Sequence, residues 1–300
     1  MLILFPLLVF CKIISLPYEI DTPLAMDGNI EFVYDEVIYA NDFVQWYPTE
    51  DTMPSESTKV FVCHDKENIY IVFQCFELEP DKLDNRIVPR DAWYVGDNIG
   101  VLLDVDMDKN TGYQFYVSVG GVQCDSKILD DGRNVDPSED WVWYSAAKIT
   151  DYGYNVEMKI PFKTLRFKPG LTEWGVNFFR GIARKNEYVS WAPLKQSEGL
   201  RVSRCGILKG INPGKQGLHL EVYPVGLASY EHNSIYPQAG LDFNWCFTSS
   251  QLSFTTYPDF AQIEADPYTM NLSKYETYFQ ERRPFFIESQ EVFNTPIKLF

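Results

Sequence analysis

Acidic side chains at alternate positions form one arrangement in this sequence that could do chemistry. Asp104, Asp106 and Asp108 lie at the end of an apolar run and lead into a polar stretch. Oxygen ligands at this spacing suit Ca²⁺. Lys109 and Phe115, however, stand where an EF-hand loop has its Gly and its bidentate Glu. The loop is therefore either a calcium site or a solvated hairpin turn, and no other cofactor is predicted.

Tryptophans flanked by Asp, Asn, Arg or Ser offer a second kind of chemistry. They are Trp93, Trp141, Trp143 and Trp191. An aromatic face beside polar side chains can stack on a sugar ring and hydrogen-bond its hydroxyls. The alternative is that each of these rings packs in the core. The sequence alone leaves both interpretations open.

Motifs for covalent catalysis are missing from the sequence. It has no H-E-x-x-H, no G-x-S-x-G and no phosphate-binding glycine loop, so no catalytic residue is predicted. A glycosidase needs two carboxylates about 5.5 Å or roughly 6.5–9.5 Å apart, a distance that sequence does not give. The carboxylates in the predicted loops are Asp91, Asp97, Asp130, Asp131, Asp136, Glu139 and Asp140.

The composition bounds the partners and the fold class. With 26 Lys and Arg against 42 Asp and Glu in 300 residues, the net charge is −16. This argues against a nucleic-acid partner, which requires a basic surface. The 7 Trp, 19 Tyr and 21 Phe favour strands, and 18 Pro with 18 Gly disfavour long helices. The six cysteines are widely spaced, and we expect single buried thiols rather than a zinc site.

Short apolar runs separated by turn signals predict an all-β fold. Residues 58–63 and 69–76 read as a hairpin around the polar turn at 64–68. Further strands are predicted at 98–105, 113–119, 144–149, 154–160, 174–183 and 189–192. This spacing of strands and turns indicates a β-sandwich.

Beyond the Gly- and Pro-rich stretch at 209–217 the alternation becomes strict. Leu241, Phe243, Trp245 and Phe247 fall on one face of a strand at 240–248, with polar residues between them. The segments at 218–222 and 251–255 alternate in the same way. The pattern fits either transmembrane β-strands or a soluble sheet with one wet face. Since so few strands cannot close a barrel, we interpret the sequence as the amino-terminal piece of a longer protein.

The amino terminus predicts export. Residues 2–10 are an apolar run too short to span a bilayer as a helix but suited to a secretory signal, with a buried first strand as the alternative. The predicted organisation is a signal peptide at 1–17, a β-sandwich at 18–211 and the first strands of a truncated antiparallel β-barrel at 212–300. The predicted location is the cell envelope, in the outer membrane.

Several motifs carry a family resemblance. They are the Asp27-Gly28 pair, the 60–73 hairpin, the stretch from Trp93 through Asp97 to Asp104, and the Gly-Tyr-Asn-Val-Glu-Met-Lys-Ile-Pro-Phe strand at 153–162. In these the chain resembles the carbohydrate-binding module family 9, a jelly-roll-type β-sandwich in which two Trp rings grip a sugar. Trp93 stands at one such position and Trp191 lies in the segment of the other, where Gly199 replaces a second Trp. The predicted sugar site comprises Trp93, Trp191 and Asp97, which the resemblance implies, together with Trp143 and Asp91 from the tryptophans and carboxylates considered above.

A second resemblance covers the carboxyl-terminal part. The segments 257–267 and 279–288 are similar to the domain-of-unknown-function family 5916, whose members carry such a sandwich before an outer-membrane-type β-barrel. Glu281, Arg282, Arg283 and Glu288 would be costly on a lipid face, so we predict that they form a charge network in the barrel lumen.

Together these expectations describe an exported binding protein. Its predicted partners are a poly- or oligosaccharide, held without covalent chemistry, and the outer membrane. One alternative is a glycoside hydrolase, or its accessory module, in carbohydrate catabolism. The other is a structural or transport module of an outer-membrane barrel.

Overall fold

The chain divides into two compact units, Met1–Gly217 and Leu218–Phe300, called here the first and second unit. A computed structural model of the protein describes residues 12–15, 19–21, 23–30, 38–92, 96–137, 140–213, 220–231, 234–246 and 251–256. These residues form strands and short 3₁₀ turns and contain no α-helix. Within them, no helix has the length and apolarity that a bilayer crossing requires.

The described residues of the first unit form two sheets. Nine strands make the larger one: β1 (Ile13–Ser15), β3 (Val44–Tyr47), β6 (Asn98–Asp104), β7 (Gly112–Ser118), β8 (Gln123–Leu129), β9 (Asn134–Asp136), β12 (Glu173–Ile182), β13 (Glu187–Ser190) and β14 (Gly206–Lys209). Five make the smaller one: β2 (Tyr39–Ala40), β4 (Thr58–His64), β5 (Asn68–Phe76), β10 (Tyr144–Thr150) and β11 (Gly153–Pro161).

One apolar core joins the two sheets. Phe73 and Val156 of the smaller sheet belong to the same buried cluster as Val101 and Phe178 of the larger sheet. The rings of Phe73 and Phe178 meet edge to face across the interior, with centroids 6.0 Å apart. The first unit is therefore a β-sandwich, as its short apolar runs and turn signals predict.

About half of the strand pairings in the first unit join sequence neighbours, and the others are crossovers. The larger sheet runs β1-β14-β12-β6-β7-β8-β9, with β13 on β12 and β3 on β13. The smaller sheet runs β10-β11-β5-β4-β2. The predicted hairpin at 58–76 is confirmed, since β4 and β5 pair from Thr58 opposite Cys75 to His64 opposite Ile69.

The end of the predicted signal peptide belongs to the larger sheet. Ile13 and Ile14 pair in parallel with Ile207 and Leu208 of β14, and Ile14 is only 3% exposed. For residues 12–15 this is the first-strand arrangement given above as the alternative. Residues 1–11 lie outside the described part of the chain, and export stays a prediction.

The second unit contains one antiparallel sheet of three strands among its described residues. They are β15 (Leu220–Glu231), β16 (Ser234–Cys246) and β17 (Gln251–Thr255). Leu220, Trp245 and Leu252 stand opposite one another, and so do Val222, Phe243 and Phe254. Directly paired residues project from the same face of a sheet, so the predicted apolar face is confirmed. None of the sheets formed by the described residues closes on itself.

Candidate functional site

An aromatic cleft of about 480 Å³ is the candidate functional site of the first unit. It is lined by Trp46, Tyr47, Asn186, Tyr188 and Gln196. Its volume lies within the range of about 300–1,000 Å³ that small-molecule sites occupy. We call it the aromatic cleft below.

Strand pairing brings the two tyrosines of the cleft together. Tyr47 ends β3 and stands opposite Tyr188 of β13, next to a register shift in that ladder. The two rings lie edge to face with centroids 6.5 Å apart, and Tyr47 is 42% exposed. The cleft therefore has two adjoining aromatic surfaces that a flat ligand can contact.

The loop after β3 is closed by its own backbone. The N–H of Gln45 donates to the carbonyl of Thr52 at 2.9 Å, and the N–H of Asp51 donates to the carbonyl of Gln45 at 3.0 Å. Trp46 packs against a buried cluster that includes Tyr116, Phe179 and Leu194. The apolar contact and the backbone hydrogen bonds hold Trp46 and Tyr47, at the end of β3, in place.

Gln196 supplies a positioned amide at the cleft. Its Nε2 donates to the carbonyl oxygens of Trp46 at 2.9 Å and Pro48 at 3.0 Å. Its backbone N–H donates to Glu50 Oε1. Asn186, in the left-handed region at φ 47°, adds a second amide from the end of a 3₁₀ turn.

Paired charges lie beside the cleft. Lys195 Nζ contacts Asp51 Oδ2 and lies 3.4 Å from Glu50 Oε2. The hydrogen bond to Asp51 raises the pKa of Lys195 above its usual range. The lining itself consists of uncharged side chains that can stack and hydrogen-bond.

Two of the tryptophans predicted to grip a sugar are buried instead. Trp191 is 3% exposed, donates its Nε1 to Asp42 Oδ1 at 2.9 Å, and has its ring centroid 5.5 Å from that of Phe178. Trp143 is 4% exposed and packs edge to face on Phe115 at 5.2 Å. Neither presents a face to a ligand, so core packing is the correct interpretation for both. Trp93 lies outside the described residues.

The two predicted carboxylates serve the backbone. Asp97 is 1% exposed and accepts backbone hydrogen bonds from Asp84 at 2.8 Å and Ala183 at 3.2 Å. Burial raises the pKa of Asp97 above its usual value, and these hydrogen bonds oppose that effect. Asp91, half-buried, accepts from the N–H of Asp125 at 3.2 Å and lies 3.6 Å from Arg90 Nε. The structure does not bring either carboxylate to the aromatic cleft.

The calcium prediction does not fit the loop after β6. Asp104 accepts the backbone N–H groups of Asp108 and Lys109, and Asp108 accepts those of Asn110 and Thr111. Among the described residues, no group of three or more His, Cys, Asp or Glu side chains could hold a metal. The carboxylates of Asp104 and Asp108 instead accept backbone N–H groups of the hairpin turn, which was the alternative interpretation of this loop. Burial raises the pKa of both Asp104 and Asp106 above its usual range.

The structure describes the thiols of four of the cysteines, but none of the residues of the predicted charge network. Cys63, Cys75 and Cys124 are buried thiols and Cys205 is a half-buried one, in line with the expectation from the cysteine spacing. Glu281, Arg282, Arg283 and Glu288 all lie outside the described residues, and their charge network stays a prediction.

A comparison with protein-family models finds one match, in the carboxyl-terminal part of the chain. Residues 218–300 match the family model of a domain of unknown function, DUF5916. The second unit is therefore called the DUF5916 segment below. No curated protein matches the chain.

Solved structures similar to the chain are β-sandwiches with very different sequences. Two are a carbohydrate-binding module family 9 from Caldicellulosiruptor kristjanssonii, in complex with glucose and with cellotriose. The glucose complex is 16% identical and covers 66% of this chain and 95% of that chain, with a TM-score of 0.48. The cellotriose complex is 16% identical and covers 68% and 95%, with a TM-score of 0.47.

A third structure, from Bacteroides uniformis, is of a protein with a proposed carbohydrate-binding role. It is 12% identical, covers 66% of this chain and 99% of that chain, and has a TM-score of 0.52. At this identity the similarity shows the fold alone.

Sequence reasoning missed the residues of the aromatic cleft. The signal that could have found them is the Trp46-Tyr47-Pro48 run, in which adjacent aromatics precede a turn residue. Tyr188 and Gln196 flank the buried Trp191 in sequence, but only strand pairing and the loop after β13 bring them to Tyr47.

Proposed function

We propose that the first unit binds a carbohydrate in the aromatic cleft, without covalent chemistry. The observation that carries the proposal is the lining itself, where the rings of Tyr47 and Tyr188 adjoin the amides of Asn186 and Gln196. Sugar rings offer C–H surfaces that stack on aromatic faces and hydroxyls that pair with amides.

Calorimetric titration of the full chain with glucose, cellotriose and a panel of neutral oligosaccharides tests this proposal. Tyr188→Ala removes one aromatic surface of the cleft and should weaken binding by about tenfold or more, in line with about 1.4 kcal/mol per factor of ten. Tyr144→Ala is the matched control, because Tyr144 is 51% exposed on β10 of the other sheet.

The outcomes separate binding from its alternatives. Binding that is lost in Tyr188→Ala and kept in Tyr144→Ala supports the cleft. Absence of binding across the panel, or equal binding by all three proteins, contradicts it. Release of reducing sugar during the titration would favour the hydrolase alternative.

We also propose that the DUF5916 segment contributes strands to a membrane-embedded sheet of an exported protein. Its support is the uninterrupted apolar face, on which Val222 is 49% and Phe254 is 56% exposed. On the opposite face, Thr255 Oγ1 donates to Asp242 Oδ1 at 2.6 Å. An apolar face opposite a polar one is typical of strands between lipid and a polar interior.

Recovery of the full chain in the membrane fraction tests the second proposal. Val222→Arg places a charge on the apolar face, where it costs about 2–4 kcal/mol at the bilayer midplane, and should lower recovery. Tyr223→Arg, at the next position and on the other face, is the control and should not. Equal recovery of both variants would contradict a lipid-facing apolar surface.

A further inference from the structure

Gln196 can offer a ligand only a hydrogen-bond acceptor. Both contacts of its amide group are to carbonyl oxygens, those of Trp46 and Pro48, so the group that makes them is the NH₂. An amide nitrogen carries two hydrogens, and here each has a partner. The atom left for a ligand is Oε1, which accepts a hydrogen bond from a hydroxyl but repels a carboxylate.

The charges beside the cleft also disfavour a ligand that carries a carboxylate. Glu50 accepts the backbone N–H of Gln196, and Asp51 lies next to Glu50 in the chain. Lys195 contacts both carboxylates, so two negative charges share one positive charge. None of the described residues that line the cleft is cationic. Among the described residues, an anionic ligand would therefore meet a rim in which two carboxylates share one lysine and leave a net negative charge.

We propose that the aromatic cleft selects uncharged, hydroxyl-rich saccharides and rejects acidic ones such as uronic-acid chains, with Gln196, Glu50 and Asp51 as the specificity-determining residues. This inference rests on the proposed carbohydrate-binding function. It adds the chemical class of the ligand and the groups that set it. The physical basis is that a ligand carboxylate loses its hydration next to an acceptor and a net negative rim.

A matched pair of ligands tests the inference. The full chain is titrated with cellotriose and with the same trisaccharide oxidised to carboxylates at its 6-positions. We expect binding of the oxidised form to be about tenfold weaker at low ionic strength, since its carboxylates and those of Glu50 and Asp51 repel one another. The gap should narrow as salt is added, because exposed charges are screened.

Charge-neutralising variants identify the groups responsible. The double variant Glu50→Gln with Asp51→Asn keeps the side-chain shapes and removes both negative charges, so it should reduce the preference for cellotriose several-fold. Glu173→Gln is the control, because Glu173 is also an exposed carboxylate paired with a lysine, Lys209, at 2.9 Å. It should leave the preference unchanged.

Each result bears on the inference. Preference for cellotriose that shrinks in the double variant and not in the control supports it. Binding of the oxidised trisaccharide as tight as that of cellotriose overturns the inference while leaving carbohydrate binding in place. Binding of neither ligand overturns both.

Discussion

Glu157 holds the N-terminal segment of the sandwich through a single carboxylate oxygen. Its Oε2 accepts the backbone N–H of Asp27 at 3.0 Å and that of Gly28 at 2.8 Å, although it is about 130 residues away in the chain. The Asp27-Gly28 pair and the Glu of the 153–162 strand, which carry the family-9 resemblance, thus meet in the structure. Their role here is to fasten one segment across the smaller sheet.

Replacing Glu157 by Ala should destabilise the first unit by about 2–3 kcal/mol. Hydrogen bonds to a buried charged group contribute about 1.5–3 kcal/mol, and the two N–H groups would lose their acceptor. Glu157→Gln keeps one acceptor oxygen and should cost less. Urea denaturation of the two variants measures the difference. Equal stability of wild type and Glu157→Ala would show that the hydrogen bonds accepted by Glu157 contribute nothing to stability.

Asp65 makes stability depend on pH. Burial acts to raise its pKa, but hydrogen bonds from Tyr70, Asn68 and Glu67 outweigh burial and hold the pKa below its usual range. Tyr70 OH donates to Asp65 Oδ2 at 2.7 Å. A carboxyl whose pKa is lower in the folded state stabilises the fold above its unfolded pKa of about 3.9, and that contribution is lost as pH falls through the folded pKa.

The variant Asp65→Asn should therefore differ from wild type at neutral pH and converge with it in acid. We expect a loss of about 2 kcal/mol at pH 7, in the range of hydrogen bonds to charged groups. Chemical denaturation of both proteins in steps from neutral pH down to about pH 2 gives the difference at each point. A difference that stays constant with pH would rule out the Asp65 carboxylate as its source.

At the scale of elements, the turn between β10 and β11 depends on one glycine. Gly153 has φ 143°, and a Cβ there would lie 2.1 Å from the carbonyl oxygen of Cys75 on the neighbouring β5. The close approach of backbone to backbone leaves no flexible side chain that can move aside. Gly170, at φ 83°, has nothing within 4 Å of such a Cβ.

These two glycines form a matched pair. Gly170→Ala should cost about 1 kcal/mol, the strain of an L-residue at positive φ. Gly153→Ala should cost about 3 kcal/mol or more, because the β5–β11 ladder must open to admit the methyl group. Thermal or urea unfolding compares the two, and similar losses would mean that the clash at Cys75 relaxes freely.

The aromatic cleft is also a product of how elements pair. β13 pairs with β12 on one side and with β3 on the other, and the register shift next to Tyr188 falls in the second of these ladders. A bulge of this kind changes the direction of a side chain at the edge of a sheet. The cleft thus depends on a strand of only four residues, Val44–Tyr47, that the alternation of apolar residues does not reveal.

At the scale of the whole molecule, the two sheets of the sandwich share one core and should unfold together. Cys75 lies in that core on the smaller sheet, and Cys124 is 5% exposed on the larger one. Burial raises the pKa of Cys124 to about 11, which lowers the reactivity of its thiol in the folded protein.

Thiol labelling followed by mass spectrometry of the peptides checks this cooperativity. Cys75 and Cys124 should resist alkylation in the folded protein and become labelled at the same urea concentration, as expected for a two-state unit. Cys205, which is half-buried, should react earlier. Separate midpoints for Cys75 and Cys124 would show that the sheets unfold independently.

Much of the sandwich is predictable because a pattern of short apolar runs bounded by turn residues marks strands that are half or fully buried. The hairpin of β4 and β5 and the strands β6, β7, β11 and β12 follow from it within one or two residues. β8 escapes the pattern because Asp125 and Ser126, both 0% exposed, occupy positions where an apolar residue is expected. Arg90 donates a hydrogen bond to the carboxylate of Asp125 at 2.7 Å, and the hydroxyl of Ser126 donates one to Gln114 Oε1 at 3.1 Å. Gln114 stands opposite Ser126 on β7, and Arg90 comes from the loop before β6, so the pattern within β8 alone does not show either partner.

Residue types and their periodicity by themselves determined the all-β class, the main strands of the sandwich and the two-faced strands of the DUF5916 segment, because these depend on local spacing. Only the tertiary structure decided which aromatic rings are exposed to solvent and to a ligand. Trp143 and Trp191 are buried because the core is built from both sheets. Tyr47, Tyr188 and Gln196 meet because strand pairing and a loop bring together residues about 150 positions apart. Local sequence fixes which face a side chain takes on its strand, whereas its exposure depends on what the rest of the chain places over that face.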